Sequence, residues 1–424
     1  MEYFNHYTDE YITALKRGSG YYKIRLELLS DDETVIGEIT QDLSLDSQGQ
    51  ININYEQIVR RSCSLTLIDV DGKYLPYRNS PFWINRKFKL WIGLVANNNI
   101  YWWSQGVYYT VSANGANGNL NIEGVDKGGA LNGTLKLNMT DYDYEINRGD
   151  TVNNVVRSIL SLNMNAANFS DSEIIYSLDK PVDPISPIIG LDYYTQTINN
   201  QVHVDANNYI SELLTVLADS YAADCYYDVD GHMVFSPYVE NAGYQYAPKV
   251  WEFENLSSFF EDVNYNYSYE GENVVTYYTN SSDETTDNVA WTAYNTNPLS
   301  PLCVTTGIRR AQSQEMTYYK YYEDEEKNKR QMIADCRSAA NHYLLMNSLV
   351  GMQLSFNCPI IPHVDVNKAI GVTDEKVGID GGVFIIQSVT IPLSADKMNI
   401  NATNINWLPN DMGFDGESQI IERS

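Results

Sequence analysis

Between Ser62 and Ile122 the apolar and polar positions follow the pattern of successive β-strands. Cys63, Leu65 and Leu67 alternate with Ser62, Ser64 and Thr66. Phe88, Leu90, Ile92 and Leu94 alternate with Lys87, Lys89, Trp91 and Gly93. A period of two sends neighbouring side chains to opposite faces, so each segment offers one face to a core and one to water or a neighbour. The Asp71-Gly72 pair predicts a tight turn, since glycine takes positive φ without steric cost. Further strands are predicted around Ile24–Leu28, Ile51–Tyr55, Tyr101–Val111 and, after a Gly115/Gly118 turn, Leu120–Gly124. A short helix over Thr8–Arg17 precedes them and stops at Gly18-Ser19-Gly20. About six strands joined by short turns predict a barrel or sandwich ending near Lys127.

The period then changes. Thr151 is placed to cap a helix whose apolar stripe is Val152, Val155, Val156, Ile159 and Leu160. Asp179 to Pro187 contains three prolines and predicts loop or extended chain. A second helix is expected over Ala206–Tyr221, followed by a hairpin from Cys225 to Ser236 turning at Asp230-Gly231. Strands resume near Trp251, and Val263, Tyr265, Tyr267 and Tyr269 alternate with Asn264, Asn266 and Ser268. Asn280 to Ser300 is polar and reads as a long loop. The longest helix is expected over Glu323–Asn347, with Met332, Ile333, Cys336, Ala340, Tyr343 and Leu344 inward and an acidic start that suits the positive end of a helix dipole. Strands at Met352–Phe356, Val383–Ile391 and Met398–Ala402 follow. The last 15 residues lack a period and are expected to be extended or mobile.

The fold class expected is mainly β with an α+β insertion. Two tube-like barrel or sandwich domains, each with a helix, would flank a small α/β middle. The boundaries are residues 1–127, 128–247, 248–409 with the helix 323–347, and an extended tail, 410–424. The two outer parts resemble each other in plan, without a residue-by-residue repeat.

Composition adds three constraints. The formal net charge is −27, which argues against gripping nucleic acid, because phosphate affinity comes from Lys and Arg releasing counterions. It suits either a wall that DNA passes without sticking or simple solubility. Tyrosine is abundant, 34 residues against 11 phenylalanines, which suits strand faces and wet surfaces that become buried against partners. The five cysteines are scattered, with no CxxC or CxxH spacing. They read as reduced core thiols in a chain folded in cytoplasm. The opening residues Met1–His6 lack the regions of a signal peptide, and no run of 18 apolar residues spans a membrane.

Candidate chemistry is sparse. His203-Val204-Asp205 and His363-Val364-Asp365 lack the clustered partners of a metal site. Asp69-Val70-Asp71-Gly72 and Asp228-Val229-Asp230-Gly231 lack the closing ligands of a calcium loop and read as hairpin turns. Gly115-Ala116-Asn117-Gly118 has no helix N-terminus to hold a phosphate. No GxSxG and no Cys/His pairing suggests a nucleophile, whereas paired carboxylates of a glycosidase kind stay open. Trp83, Trp91, Trp102 and Trp103 would serve a barrel core or subunit interface, with a sugar platform as the other use. No catalytic, cofactor or metal residue is assigned, and the chain reads as non-enzymatic.

The order of these parts resembles the tail hub, or baseplate hub, proteins of long-tailed and contractile-tailed bacteriophages. The resemblance rests on Arg61–Leu67 continuing through Asn85–Gly93, Gly124-Val125-Asp126-Lys127 followed by Leu131-Asn132-Gly133, Gly149-Asp150-Thr151-Val152, the hairpin Tyr226–Phe235, and the strand Gly382–Val389. It implies a homotrimer in the virion tail tip, assembled in a bacterial host's cytoplasm, in which two tube-like domains per subunit give a pseudo-sixfold ring. Its implied partners are the tail tube or distal tail protein, the tape measure protein and central tip, spike or fibre proteins, with DNA passing unbound. A carbohydrate-binding or carbohydrate-cleaving tip protein is the alternative.

Overall fold

A computed structural model describes residues 8–17, 21–30, 32–44, 49–55, 58–75, 80–82, 86–134, 144–147, 149–165, 198, 202–204, 209–221, 223–237, 249–267, 271–280, 288–296, 298, 302–306, 309–316, 324–347, 352–394, 397–404 and 415–421. Helix α1 (Asp9–Lys16) is capped by Thr8, whose hydroxyl accepts from the Tyr11 N–H. Seven strands follow: β1 (Tyr21–Leu29), β2 (Val35–Glu38), β3 (Gln50–Asn54), β4 (Arg61–Ile68), β5 (Lys87–Ala96), β6 (Asn99–Ala116) and β7 (Asn119–Asp126). The β5–β6 turn places Asn97 and Asn98 at φ 48° and 67°, and the β6–β7 turn places Asn117 and Gly118 at 53° and 75°. Paired positive φ values match the strand twist of a two-residue hairpin. The Asp71-Gly72 turn has a different role. β4 pairs with β3 and β7, and β5 with β1 and β6, so Asp69–Gly72 does not close a hairpin.

The middle of the chain contains β8 (Tyr144–Ile146), α2 (Val152–Asn165), β9 (Val202–Val204), α3 (Ile210–Ser220), β10 (Ala223–Tyr227) and β11 (Met233–Pro237). The Thr151 hydroxyl accepts from the Asn154 N–H at the head of α2. Val152, Val155, Val156 and Ile159 meet Leu213, Leu214 and Leu217 of α3 and Phe235 in a separate core. Tyr209 precedes α3 and is exposed. The proline-rich 179–187 segment lies outside the described residues.

The last part runs β12 (Lys249–Glu254), α4 (Leu256–Phe259), β13 (Glu261–Tyr267), β14 (Val274–Thr279), β15 (Asn288–Tyr294), β16 (Ala311–Met316), α5 (Glu325–Asn347), β17 (Met352–Pro359), β18 (Ala369–Asp374), β19 (Ile379–Pro392), β20 (Lys397–Asn404) and β21 (Asp415–Ile421). Two expectations need correction. The polar 280–300 segment contains β15, because Val289, Ala290 and Ala293 pack inward among its asparagines and threonines. The C-terminal stretch contains β21, which pairs along β15. The sheet β16-β14-β15-β21 is covered by α5, whose Met332, Cys336, Ala340 and Leu344 are buried.

The protein is mainly β, and its two outer parts share one sheet. Its path is β13-β17-β20-β19-β3-β4-β7-β6-β5-β1-β2, with β18 and β12 branching from β19. Among the described residues this path is open, so of the barrel or sandwich expected for the outer parts, a closed barrel is not formed within one chain. The N-terminal half-sheet has the order β3-β4-β7-β6-β5-β1, and the C-terminal half-sheet β13-β17-β20-β19-β18-β12. These orders correspond strand for strand. The irregularities correspond too. The β6–β7 ladder skips a residue between Thr110 and Ser112, and β19–β20 between Ile386 and Ser388. The Thr110 N–H donates to the Arg86 carbonyl at 3.0 Å, as the Ile386 N–H does to that of Lys368. The halves differ at one end: β1 is antiparallel to β5, and β12 parallel to β18. β3 joins them, pairing antiparallel with Ser388–Pro392 of β19. No helix among the described residues is long and apolar enough to cross a membrane.

Candidate functional site

The feature that fixes one half-sheet against the other is the loop after β17, residues 360–366. Side chains of α1 and the N-terminal half-sheet hold it. The Tyr22 hydroxyl donates to the Ile360 carbonyl at 2.5 Å, and Gln105 Nε2 to that of Pro362 at 2.9 Å. His363 Nε2 lies 3.2 Å from the Val250 carbonyl, and Nδ1 lies 2.7 Å from the Tyr11 hydroxyl. A carbonyl only accepts, so Nε2 has the proton and Nδ1 accepts from Tyr11. The rings of Tyr11, Trp103 and Trp251 surround the imidazole at centroid distances of 5.6, 5.6 and 6.0 Å. Burial holds the His363 pKa down to about 4, because a charged imidazole there loses its hydration. This histidine works as a neutral structural pin.

Next to it lies a buried ionic cluster in which all three parts of the chain meet. Arg61 NH2 donates to Asp365 Oδ2 at 2.5 Å, and NH1 to the Tyr227 carbonyl at 3.2 Å. Arg60 NH2 reaches Asp224 Oδ1 at 2.5 Å, with its guanidinium 3.6 Å from the Tyr226 ring centroid. Lys127, fully buried, donates to the Gly231 carbonyl at 2.6 Å and pairs with Glu33 at 2.8 Å; Lys87 pairs with the same carboxylate at 2.8 Å. Burial works against the charge on Glu33, but the two ammonium groups outweigh it and lower its pKa. Asp126 accepts from the backbone N–H groups of Arg61 at 2.7 Å and Gly128 at 2.9 Å. Burial outweighs those bonds and raises its pKa to about 6. Arg60, Arg61, Lys87 and Lys127 thus face Asp126, Asp224, Asp365 and Glu33, a balanced set that avoids an unpaired buried charge.

The β10–β11 turn is part of this arrangement. Asp228 Oδ1 accepts from the N–H groups of Asp230 and His232 at 2.9 and 2.8 Å, which shapes the turn. The turn then docks through Lys89–Asp230 at 2.7 Å and through the Ser104 hydroxyl on the Val229 carbonyl at 2.6 Å. The Asp228–Gly231 motif is therefore a hairpin turn, and its job is to seat the middle region on the N-terminal half-sheet.

The tryptophans take separate places. Trp103 points into the Tyr11–His363 cluster. Trp91 and Trp102 lie on the opposite, outer face, where the Arg25 guanidinium sits 4.6 and 4.7 Å from their ring centroids. Trp102 rests across Gly93, where an added Cβ would come within 2.7 Å of its ring. Arg25 thus covers one face of each of these rings. Trp83 lies outside the described residues. Among the described residues no group of three or more His, Cys, Asp or Glu side chains could hold a metal ion.

Of the residues singled out in the sequence, His363 and Asp365 enter this junction, as structural pins. Arg61, Asp126 and Lys127 stood only within the passages that carry the resemblance, with no role given, and Arg60 and Glu33 were not singled out. One signal was available: the period of two puts Arg61 on the inward face with Cys63, Leu65 and Leu67, where a charge needs a buried partner.

No family model matches the chain, and no curated protein matches its sequence. Solved structures resemble it to different degrees. The tail protein from Neisseria meningitidis MC58 is 12% identical, superposes with a TM-score of 0.55, and aligns over 92% of this chain and 98% of its own. The 43 kDa tail protein of prophage MuSo2 from Shewanella oneidensis is 11% identical over 90% of this chain and 98% of its own, with a TM-score of 0.48. The E. coli c3393 protein, a type VI secretion component, is 9% identical over 92% and 75%, with a TM-score of 0.41. The chain has the fold of the Neisseria tail protein along nearly its whole length.

Proposed function

We propose that this chain is a structural, non-catalytic component of a bacteriophage tail. In this reading it is the hub at the distal end, a homotrimer whose six half-sheets form a pseudo-sixfold ring. The observation that carries the proposal is the correspondence of strand order and ladder irregularity between the two halves of one polypeptide. A chain holding two equivalent modules lets three copies present six. Such a ring matches a sixfold tail tube or distal tail protein on one face and threefold tip, spike or fibre proteins on the other. The tape measure protein and DNA would occupy the lumen, and the net charge of −27 would keep DNA from adhering. The fold shared with the Neisseria tail protein supports the tail assignment. The ionic junction supports it mechanically, because modules that build a ring must keep one fixed angle.

Light scattering on the purified full chain and electron microscopy of tail particles containing it test this reading. The expected result is a trimer of about three times 48.2 kDa and a ring with alternating, near-equivalent lobes. A strictly monomeric species inside assembled particles overturns it.

A further inference from the structure

The join between the half-sheets has a precise counterpart that a single chain leaves unfilled. On its β18 side, β19 is paired twice. Its first part pairs with β18, and Ser388–Pro392 pairs with β3 of the other half-sheet. The corresponding strand β6 pairs with β5 only as far as Tyr109. Beyond that point residues 111–116 have no strand on that side among the described residues, and Asn114, Gly115 and Ala116 are exposed. The counterpart of β3 is β13, which among the described residues pairs with β17 alone; its Asn264 and Asn266 are exposed. Among the described residues the molecule therefore displays an unfilled socket on β6 and an open edge on β13, corresponding to the two sides of its own internal seam. Unpaired strand edges are templates for pairing with another chain.

The flanking side chains agree. In the internal seam, Ile360 and Ile361 of the loop after β17 are buried. At the end of β4 and in the loop after it, Ile68, Val70 and Leu75 stand exposed, Val70 by 78%. Leu75 and Val70 lie over Gly115 and Gly118, beside the socket. Phe259, the last residue of α4 and two positions before β13, is 73% exposed. Isolated exposed apolar side chains are ordinary, but here they border both edges that lack a neighbour.

We propose that β13 of one copy pairs antiparallel with residues 111–116 of β6 in the next copy, repeating the β3–β19 seam between subunits. The internal register is Gln50↔Pro392, Ile51↔Ile391, Asn52↔Thr390 and Ile53↔Val389. Its transfer through the strand correspondence gives Asn264↔Ala116, Tyr265↔Gly115, Asn266↔Asn114 and Tyr267↔Ala113 between copies. Opposite Tyr265 the socket offers glycine, where the internal seam packs isoleucine against isoleucine. The contact is head-to-tail, which closes into a ring when the rotation allows. It turns the open sheet of each chain into one continuous wall. This inference rests on the threefold assembly proposed above and names the surfaces that make it.

A chain with Asn114→Cys and Asn266→Cys tests the pairing under mild oxidation, since cross-strand Cβ atoms lie about 4.5–5.5 Å apart. The expected product on a denaturing, non-reducing gel is a covalently closed trimer. The parent chain and an Asn114→Cys/Asp262→Cys variant, displaced along the strand, should stay uncrosslinked. Val70→Asp, a change at an exposed position that leaves the fold intact, should shift the light-scattering mass from trimer to monomer. A trimer by light scattering that neither crosslinks nor responds to Val70→Asp overturns the pairing and leaves the hub reading standing. A chain that is monomeric at every concentration and in particles overturns both.

Discussion

The Tyr11 hydroxyl lies 2.7 Å from Nδ1 of His363, bridging 352 positions of sequence. With the Val250 carbonyl on the other ring nitrogen, it ties α1, the N-terminal half-sheet and β12 to one imidazole. The bond geometry suits the neutral ring, so proton uptake opposes the joint.

This sets a pH dependence with a definite sign. His363 has a folded pKa of about 4 against 6.5 for the free side chain. Between those values the unfolded chain binds a proton that the folded chain refuses, so stability falls as pH drops from 6.5 to 4, by ~3 kcal/mol in total. Asp126 acts oppositely. Its folded value of about 6 exceeds 3.8, so it adds stability as pH drops through the same window, by ~3 kcal/mol. The two nearly cancel in the native protein. Urea midpoints across pH 4 to 7 should therefore gain a rise toward acid in His363→Asn and a drop toward acid in Asp126→Asn. Parallel profiles for all three proteins would sink the assignment.

Arg61 and Asp365 make the ion pair that crosses the seam. Arg61→Met leaves Asp365 with some access to water, since that side chain is 26% exposed. The expected cost is ~2–3 kcal/mol, below that of a fully buried orphaned charge. A chemical-denaturation midpoint unchanged from the parent would show the pair to be dispensable.

Glu33 is shared by Lys87 and the fully buried Lys127. Glu33→Gln keeps the shape and removes the carboxylate charge that offsets both ammonium groups, at an expected ~2–4 kcal/mol. Lys73→Ala, which removes the exposed pair with Asp42, should leave stability nearly unchanged, because water and salt screen an exposed pair. Equal losses in thermal melts of the two variants would contradict the argument from burial.

Gly93→Ala places a Cβ within 2.6 Å of Ile100 and 2.7 Å of Trp102. Because Trp102 must lift from the strand, its stack on Arg25 breaks. A loss of ~1–3 kcal/mol with a shift in tryptophan emission is expected; an unaltered spectrum would mean the ring has another resting place.

Much of this was legible from residue order. Alternation gave β1, β3, β4, β5 and β7, and the helical stripes gave α2, α3 and α5, because one-sided burial imprints a period on the chain. β15 was hidden because a strand of seven residues sat within Asn- and Thr-rich chain. β18 and β21 were missed for lack of a clean alternation; β18 is buried on nearly every residue. The choice between barrel and sandwich stayed open because alternation states which face is inward and is silent about which edge finds which partner.

The sequence alone determined most of the local elements, the mainly β character, the acidic balance and the existence of two outer modules of similar plan. Only the tertiary structure decided that those modules share a strand order down to the bulges at Val111 and Gln387, that β3 fuses them, and that Arg61, Glu33, Asp126 and Lys127 neutralise one another at the seam. The physical reason is range. Side-chain periodicity is set by neighbours two to four positions away, whereas edge pairing and charge compensation join residues hundreds of positions apart, and nothing in the local pattern encodes such a partner.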